Sequence, residues 1–211
     1  MQPDLRGGGV EDTYRLSPGQ EGILFHSLYE PGSGAYLSRF SLTLAGRPDV
    51  EALRAAWQGA LDRHAALRAS FAWEGVPEPR QLVHRDVDLP WEVLDWSALP
   101  AAEREDRREA YLRAGAERGF DLAAPPLMRV ALLRTGAEEW EMVWTYHHLL
   151  LDGWSVPLVL RDVLALYAAA AGGREPALPA PPPHGDYFAW LEGRDPAASE
   201  AFWRAELGSF A

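Results

Sequence analysis

The spacing of apolar residues changes several times along the chain, and each spacing predicts an element. Ser17-Pro18 opens a helical pattern, with Ser17 as cap and Pro18 at the first helical position, running through Gln20, Ile23 and Leu24 to about Leu28. Pro31-Gly32-Ser33-Gly34 breaks it. From Tyr36 to Leu44 the period falls to two: Phe40, Leu42 and Leu44 share one face, Ser41 and Thr43 the other, as in a half-buried strand. Asp49 caps a helix in which Val50, Leu53, Trp57, Ala60, Leu61 and His64 recur at helical spacing. Strands are predicted over Leu67–Trp73 and Gln81–His84. A helix over Ser97–Arg118 carries Arg-Glu pairs, with the run from Glu103 to Arg113 on a solvated face. Strands over Leu127–Arg134 and Trp140–Tyr146 flank a turn at Gly136 and lead to an apolar helix over Pro157–Ala171.

Residues 172–183 are too rich in Gly and Pro for a helix or strand interior. After them, Tyr187, Trp190 and Leu191, then Phe202, Trp203 and Leu207, have the spacing of amphipathic helices. The order implies a flexible leader (1–14), a main lobe (15–171), a connector (172–183) and closing helices that pack back on the lobe (184–211). Strands and helices mix without strict βαβ alternation, so the fold class is α+β, a mixed sheet covered by helices.

Composition narrows the chemistry. A formal charge of −11 argues against binding a nucleic-acid backbone. All the basic residues are arginine, so no lysine can form a Schiff base or serve a P-loop. The absence of cysteine removes disulfides, thiolate metal sites and thiol nucleophiles together. Neither G-x-S-x-G nor H-E-x-x-H occurs. Met1–Asp12 lacks the apolar core of a signal peptide and nothing approaches a membrane span, so a cytoplasmic protein is expected.

The strand ending at Tyr146 runs directly into His147-His148-Leu149-Leu150-Leu151-Asp152-Gly153. Adjacent strand side chains point to opposite faces, so one imidazole should enter the core and the other a cleft. Alternation alone leaves open which of His147 and His148 enters the cleft, where a neutral imidazole can accept a proton near neutrality. Gly153 permits positive φ or a close backbone approach, and Trp154 and Ser155 start the next helix. Asp152 either orients a histidine or pairs with an arginine. A metal site is unattractive, because consecutive strand histidines diverge. His64 is assigned to the core, and His84 and His184 to no role.

His-His-x-x-x-Asp-Gly followed by Trp154-Ser155 resembles the signature of condensation domains of nonribosomal peptide synthetases, in the chloramphenicol acetyltransferase-like superfamily. Leu16–His26 resembles that family's opening motif and Arg63–Phe71 its second. Phe120-Asp121-Leu122 with Pro126-Leu127 and Arg129 resembles the stretch before the active-site strand, and Phe202–Leu207 the helix leaving the first lobe. The resemblance implies an N-terminal lobe that faces a second lobe across a tunnel. It implies amide formation between a donor acyl or peptidyl thioester and an acceptor aminoacyl thioester, both carried on the phosphopantetheine arms of upstream and downstream peptidyl carrier proteins. Such domains serve antibiotic or siderophore biosynthesis and bind no cofactor covalently.

His148 is then assigned to the cleft as the central catalytic residue, with His147 in the core and less central, and Gly153 or the helix start stabilising an oxyanion. Trp154 and Ser155 are candidates to line the tunnel, and His26 belongs either to that lining or to the core. The resemblance points to Arg68 as partner of Asp152 in a structural ion pair, so Asp152→Asn should lower thermal stability appreciably. The lobe alone is expected to fold, to expose an apolar patch and to be inactive. Epimerization domains and coenzyme-A-dependent acyltransferases of the same fold, or a non-catalytic carrier-docking lobe, are the alternatives.

Overall fold

The computed structural model describes residues 9–208 and 210. It begins with β1 (Val10–Arg15), α1 (Pro18–Tyr29), β2 (Leu37–Ala45) and α2 (Val50–Arg63). A 3-10 turn (Ala65–Arg68) leads to β3 (Ala69–Ala72), β4 (Arg80–His84), β5 (Trp91–Asp95) and α3 (Ala101–Arg118). Then come β6 (Met128–Arg134), β7 (Glu139–His147), α4 (Ser155–Ala171), α5 (His184–Glu192) and α6 (Pro196–Leu207). The mixed α+β class read from the sequence is the observed one.

The strands form two sheets, β1-β4-β3 and β2-β7-β6-β5. In the larger, β7 pairs antiparallel with both β2 and β6, and β5 runs parallel to β6. One face packs Met142 and Trp144 against α2 and α4; the other buries Ala131, Leu133 and Val143 beside Tyr111 and Leu112 of α3. Both faces are covered, which is why β6 and β7 read as nearly continuous apolar runs rather than alternating ones. At the centre, the Trp57 ring lies 4.9 Å from that of Trp144, and its Nε1–H donates to Met142 Sδ at 3.2 Å.

Four expectations change. Residues 10–14, read as leader, belong to β1, while residues 1–8 lie outside the described residues. The strand predicted from Leu67 opens instead as the 3-10 turn and pairs only over Ala69–Ala72. The helix predicted from Ser97 starts at Ala101, because the Ser97 N–H and hydroxyl are held by Asp95 Oδ1 in a local turn. Nor is the charged run on α3 purely solvated: Arg108 forms a two-pronged bond to Glu141 of β7, at 2.7 and 2.8 Å.

The chain divides into two compact units, Met1–Pro181 and Pro182–Ala211. The second holds α5 and α6, the latter capped by Asp195, which accepts the Ala197 N–H. Within the first, α2 is tied to α4 by Asp162, which is 1% exposed and takes Arg63 at 2.9 Å, His64 at 3.1 Å and Arg161 at 2.8 Å. His64 thus caps α2 with a polar task rather than filling the core. Burial would raise the Asp162 carboxyl, but the Arg161 and Arg63 hydrogen bonds outweigh it and hold it below its ordinary value.

Candidate active site

Strand geometry persists through both histidines. The His147 N–H bonds to the Leu127 carbonyl on one side, and the His148 N–H to the Tyr36 carbonyl on the other. The side chains therefore diverge: His147 is buried and His148 half-buried. The Leu149 N–H donates to His147 Nδ1 at 3.2 Å, so that nitrogen is the acceptor and Nε2 carries the hydrogen, 3.5 Å from Ser27 Oγ. His148 is reversed. Its Nδ1 lies 2.5 Å from the Leu151 carbonyl, which can only accept, so Nδ1 is the donor and the lone pair sits on Nε2. Adjacent histidines are held in opposite tautomers, one locked for structure and one offering a base.

Burial, with the charge of His148 adding to it, pushes the His147 pKa from 6.5 to about 4. The unfolded chain binds the proton more tightly, so the neutral ring's contribution is complete above pH 6.5 and is lost as pH falls toward 4. The loss should reach about 3 kcal/mol. Thermal melts between pH 7 and 4 should show this slope, and His147→Asn, which keeps an acceptor for Leu149, should flatten it. An unchanged slope would place the titration elsewhere.

A cavity of about 290 Å³ opens on His147, the ring assigned to the core, and His148 is not among the residues that line it; Ser27, Tyr36, Trp73, Phe120 and Leu122 are. His26 is exposed, 5.5 Å from the Phe25 ring and 6.4 Å from Tyr36, which lies 6.4 Å from His147. Trp154 is 87% exposed and Ser155 partly so.

The expected Asp152–Arg68 pair is absent. Asp152 is exposed, and its Oδ1 accepts the Ser155 N–H at 2.8 Å and the Ser155 hydroxyl at 2.7 Å, in the turn that leads into α4. These bonds from Ser155, helped by the Trp154 N–H and the charge of His148, lower its pKa. Local donors satisfy the carboxylate before a distant one can. Arg68 is buried and bonds Glu11 at 2.7 Å and the His84 carbonyl. A bulge between Val10 and Asp12 brings Glu11 to it. Nor does Asp152 orient a histidine in the manner of a triad, since Leu151 takes His148 Nδ1. Gly153 has neither positive φ nor any atom within 4 Å of a hypothetical Cβ, so nothing in this structure requires glycine there.

Several contacts escaped the sequence. Gln20, Ser27, Tyr36 and Gln81 all reach the histidine loop or its partners; only Gln20, three residues after Ser17, left a signal, as the second half of a capping box. His84 is not idle, since its Nε2 lies 2.7 Å from the hydroxyl of buried Ser70. Among the described residues there is no cluster of metal-ligating side chains, and no helix is long and apolar enough to cross a membrane.

The family model of the condensation domain matches residues 10–211. The chain belongs to the condensation-domain family. This condensation-domain lobe is 48% identical over 201 residues to one of the linear gramicidin synthase proteins of Brevibacillus parabrevis, covering 95% of the chain and 4% of that protein. It is 36% identical to bacitracin synthase 1 of Bacillus licheniformis, again covering 95% and 4%. The starter condensation domain of rhizomide synthetase shares the fold, with a TM-score of 0.82 at 24% identity, over 95% of this chain and 49% of that one. The lobe thus spans about half the length of the solved domain it matches, and corresponds to the N-terminal lobe of nonribosomal peptide synthetase condensation domains.

Proposed function

We propose that this lobe supplies the base for amide formation between two thioesters carried on phosphopantetheine arms. The acceptor amine attacks the donor carbonyl, the C–N bond forms and the C–S bond breaks. The amine proton passes to His148 Nε2 and from there to the departing thiolate of the donor arm. The observation that carries this reading is the Leu151 carbonyl on His148 Nδ1, which leaves the basic lone pair on Nε2. Asp152 takes the Ser155 N–H, and the Gly153 N–H, in the turn just before this helix start, is assigned to meet an oxyanion. The open space above Gly153 suits a substrate approaching its backbone.

Upstream and downstream carrier proteins are the proposed partners, with a second lobe facing this one. Exposed Phe25, Tyr29, Trp154 and Leu158 beside the motif support such a facing surface. Without it, two thioesters are not held in register and water is not excluded, so the isolated chain should be inactive. The test mixes loaded donor and acceptor carriers with this chain alone or joined to a second lobe, and follows the mass of the acceptor carrier. The joined domain should raise that mass by the donor acyl group; this chain alone should not. Inversion at the α-carbon without amide formation would favour the epimerization alternative, and transfer from coenzyme A alone the acyltransferase one. Carrier binding without any turnover by the joined domain would favour a docking lobe.

A further inference from the structure

Gln20 spends its side chain on more than helix capping. Its Oε1 accepts the Ser17 N–H at 3.0 Å, which completes the capping box of α1. A cap uses only that oxygen. The Nε2 donates to Gln81 Oε1 at 2.9 Å and to the Leu149 carbonyl at 3.1 Å, so both amide hydrogens are committed. Gln81 is 1% exposed on β4, which makes it a fixed anchor that water does not reach.

Leu149 is the first residue after the histidine pair. Its N–H is held by His147 Nδ1 and its carbonyl by Gln20, so the peptides that lead from His148 to Leu151 are gripped at their start. Leu151 in turn holds His148 Nδ1. Seven residues beyond Gln20, Ser27 meets His147 Nε2, with buried Leu24 between them on the same face of α1. The first helix therefore lies along the histidine loop as a ruler, touching it through Gln20 and Ser27.

We propose that Gln20 is a positioning residue for the histidine motif, setting through Leu149 where His148 Nε2 is presented. It touches no reacting atom, and its contribution to rate rests on the reading of His148 as the base. Three variants separate this role from capping. Gln20→Glu keeps an acceptor for Ser17 but offers no hydrogen to Leu149 or Gln81. Gln20→Met removes the amide without adding charge, which guards against a variant that fails to fold. Ser17→Ala weakens the same cap and leaves the Gln20 donors intact.

Amide hydrogen exchange in this chain should quicken about tenfold at Leu149 and Leu150 in both Gln20 variants, as expected for one lost local hydrogen bond. In the two-lobed domain they should lower kcat about 10²-fold, the effect of a small misplacement, with KM for the carriers little changed. Ser17→Ala should lower Tm and change neither readout. Gln20 variants that match Ser17→Ala in loop exchange would overturn the proposal and reduce Gln20 to a cap. Failure of the wild-type domain to form amide would refute the proposed reaction, while the exchange data would still decide the role of Gln20.

Discussion

Replacing His148 with alanine in the two-lobed domain is expected to slow amide formation by about 10² to 10⁴-fold, the usual contribution of a general base. The loss should fall on kcat more than on carrier KM, because the imidazole acts on the amine proton and not on the carrier surfaces. His147→Asn should cost much less, since an amide oxygen can still accept the Leu149 N–H that His147 Nδ1 now holds. The two variants are distinguished by single-turnover transfer between loaded carriers. Equal losses would mean that both rings act as one unit, and a near-normal His148→Ala would remove the base from the mechanism.

The largest stability effect is expected at Asp162, not Asp152. Asp162 is almost wholly buried between α2 and α4, with Arg63, His64 and Arg161 all directed at its two oxygens. Asp162→Asn removes the charge that these groups surround, at a cost of about 3 kcal/mol, as for other broken buried pairs. For a chain of this size the melting temperature should fall by about 6 to 12 °C. Asp152→Asn should shift it by less than about 2 °C, because the group is exposed and an amide oxygen can still accept the two bonds from Ser155. Melts of the two variants at pH 7 decide the matter; a larger fall at position 152 would restore Asp152 as the structural aspartate.

Why the motif reading located the histidines but misjudged Asp152 follows from the range of the interactions. Ser17, Pro18 and Asp49 act on the next turn of chain, so their roles are written in adjacent residues. The alternation of β2 is equally local, because one face is covered and the other is not. β1 escaped because Val-Glu-Asp-Thr-Tyr-Arg buries only Val10, and its pairing partner β4 lies far along the chain. The parallel strand β5 is short, partly exposed and has no hairpin partner to announce it. Gln20 meets Leu149 and Arg63 meets Asp162 across about a hundred residues, distances at which no local spacing carries a signal. At Asp152 the motif implies a distant arginine, but Ser155 three residues on satisfies the charge first.

Everything proposed for His148 depends on its neutral ring keeping the hydrogen on Nδ1. Long-range proton–nitrogen correlation spectra of the ¹⁵N-labelled chain, recorded well above pH 7, report which ring nitrogen of each histidine is protonated. His148 should show a protonated Nδ1 and a bare Nε2, and His147 the reverse. A His148 ring carrying its hydrogen on Nε2 would contradict the account, since no lone pair would then be aimed at the acceptor amine.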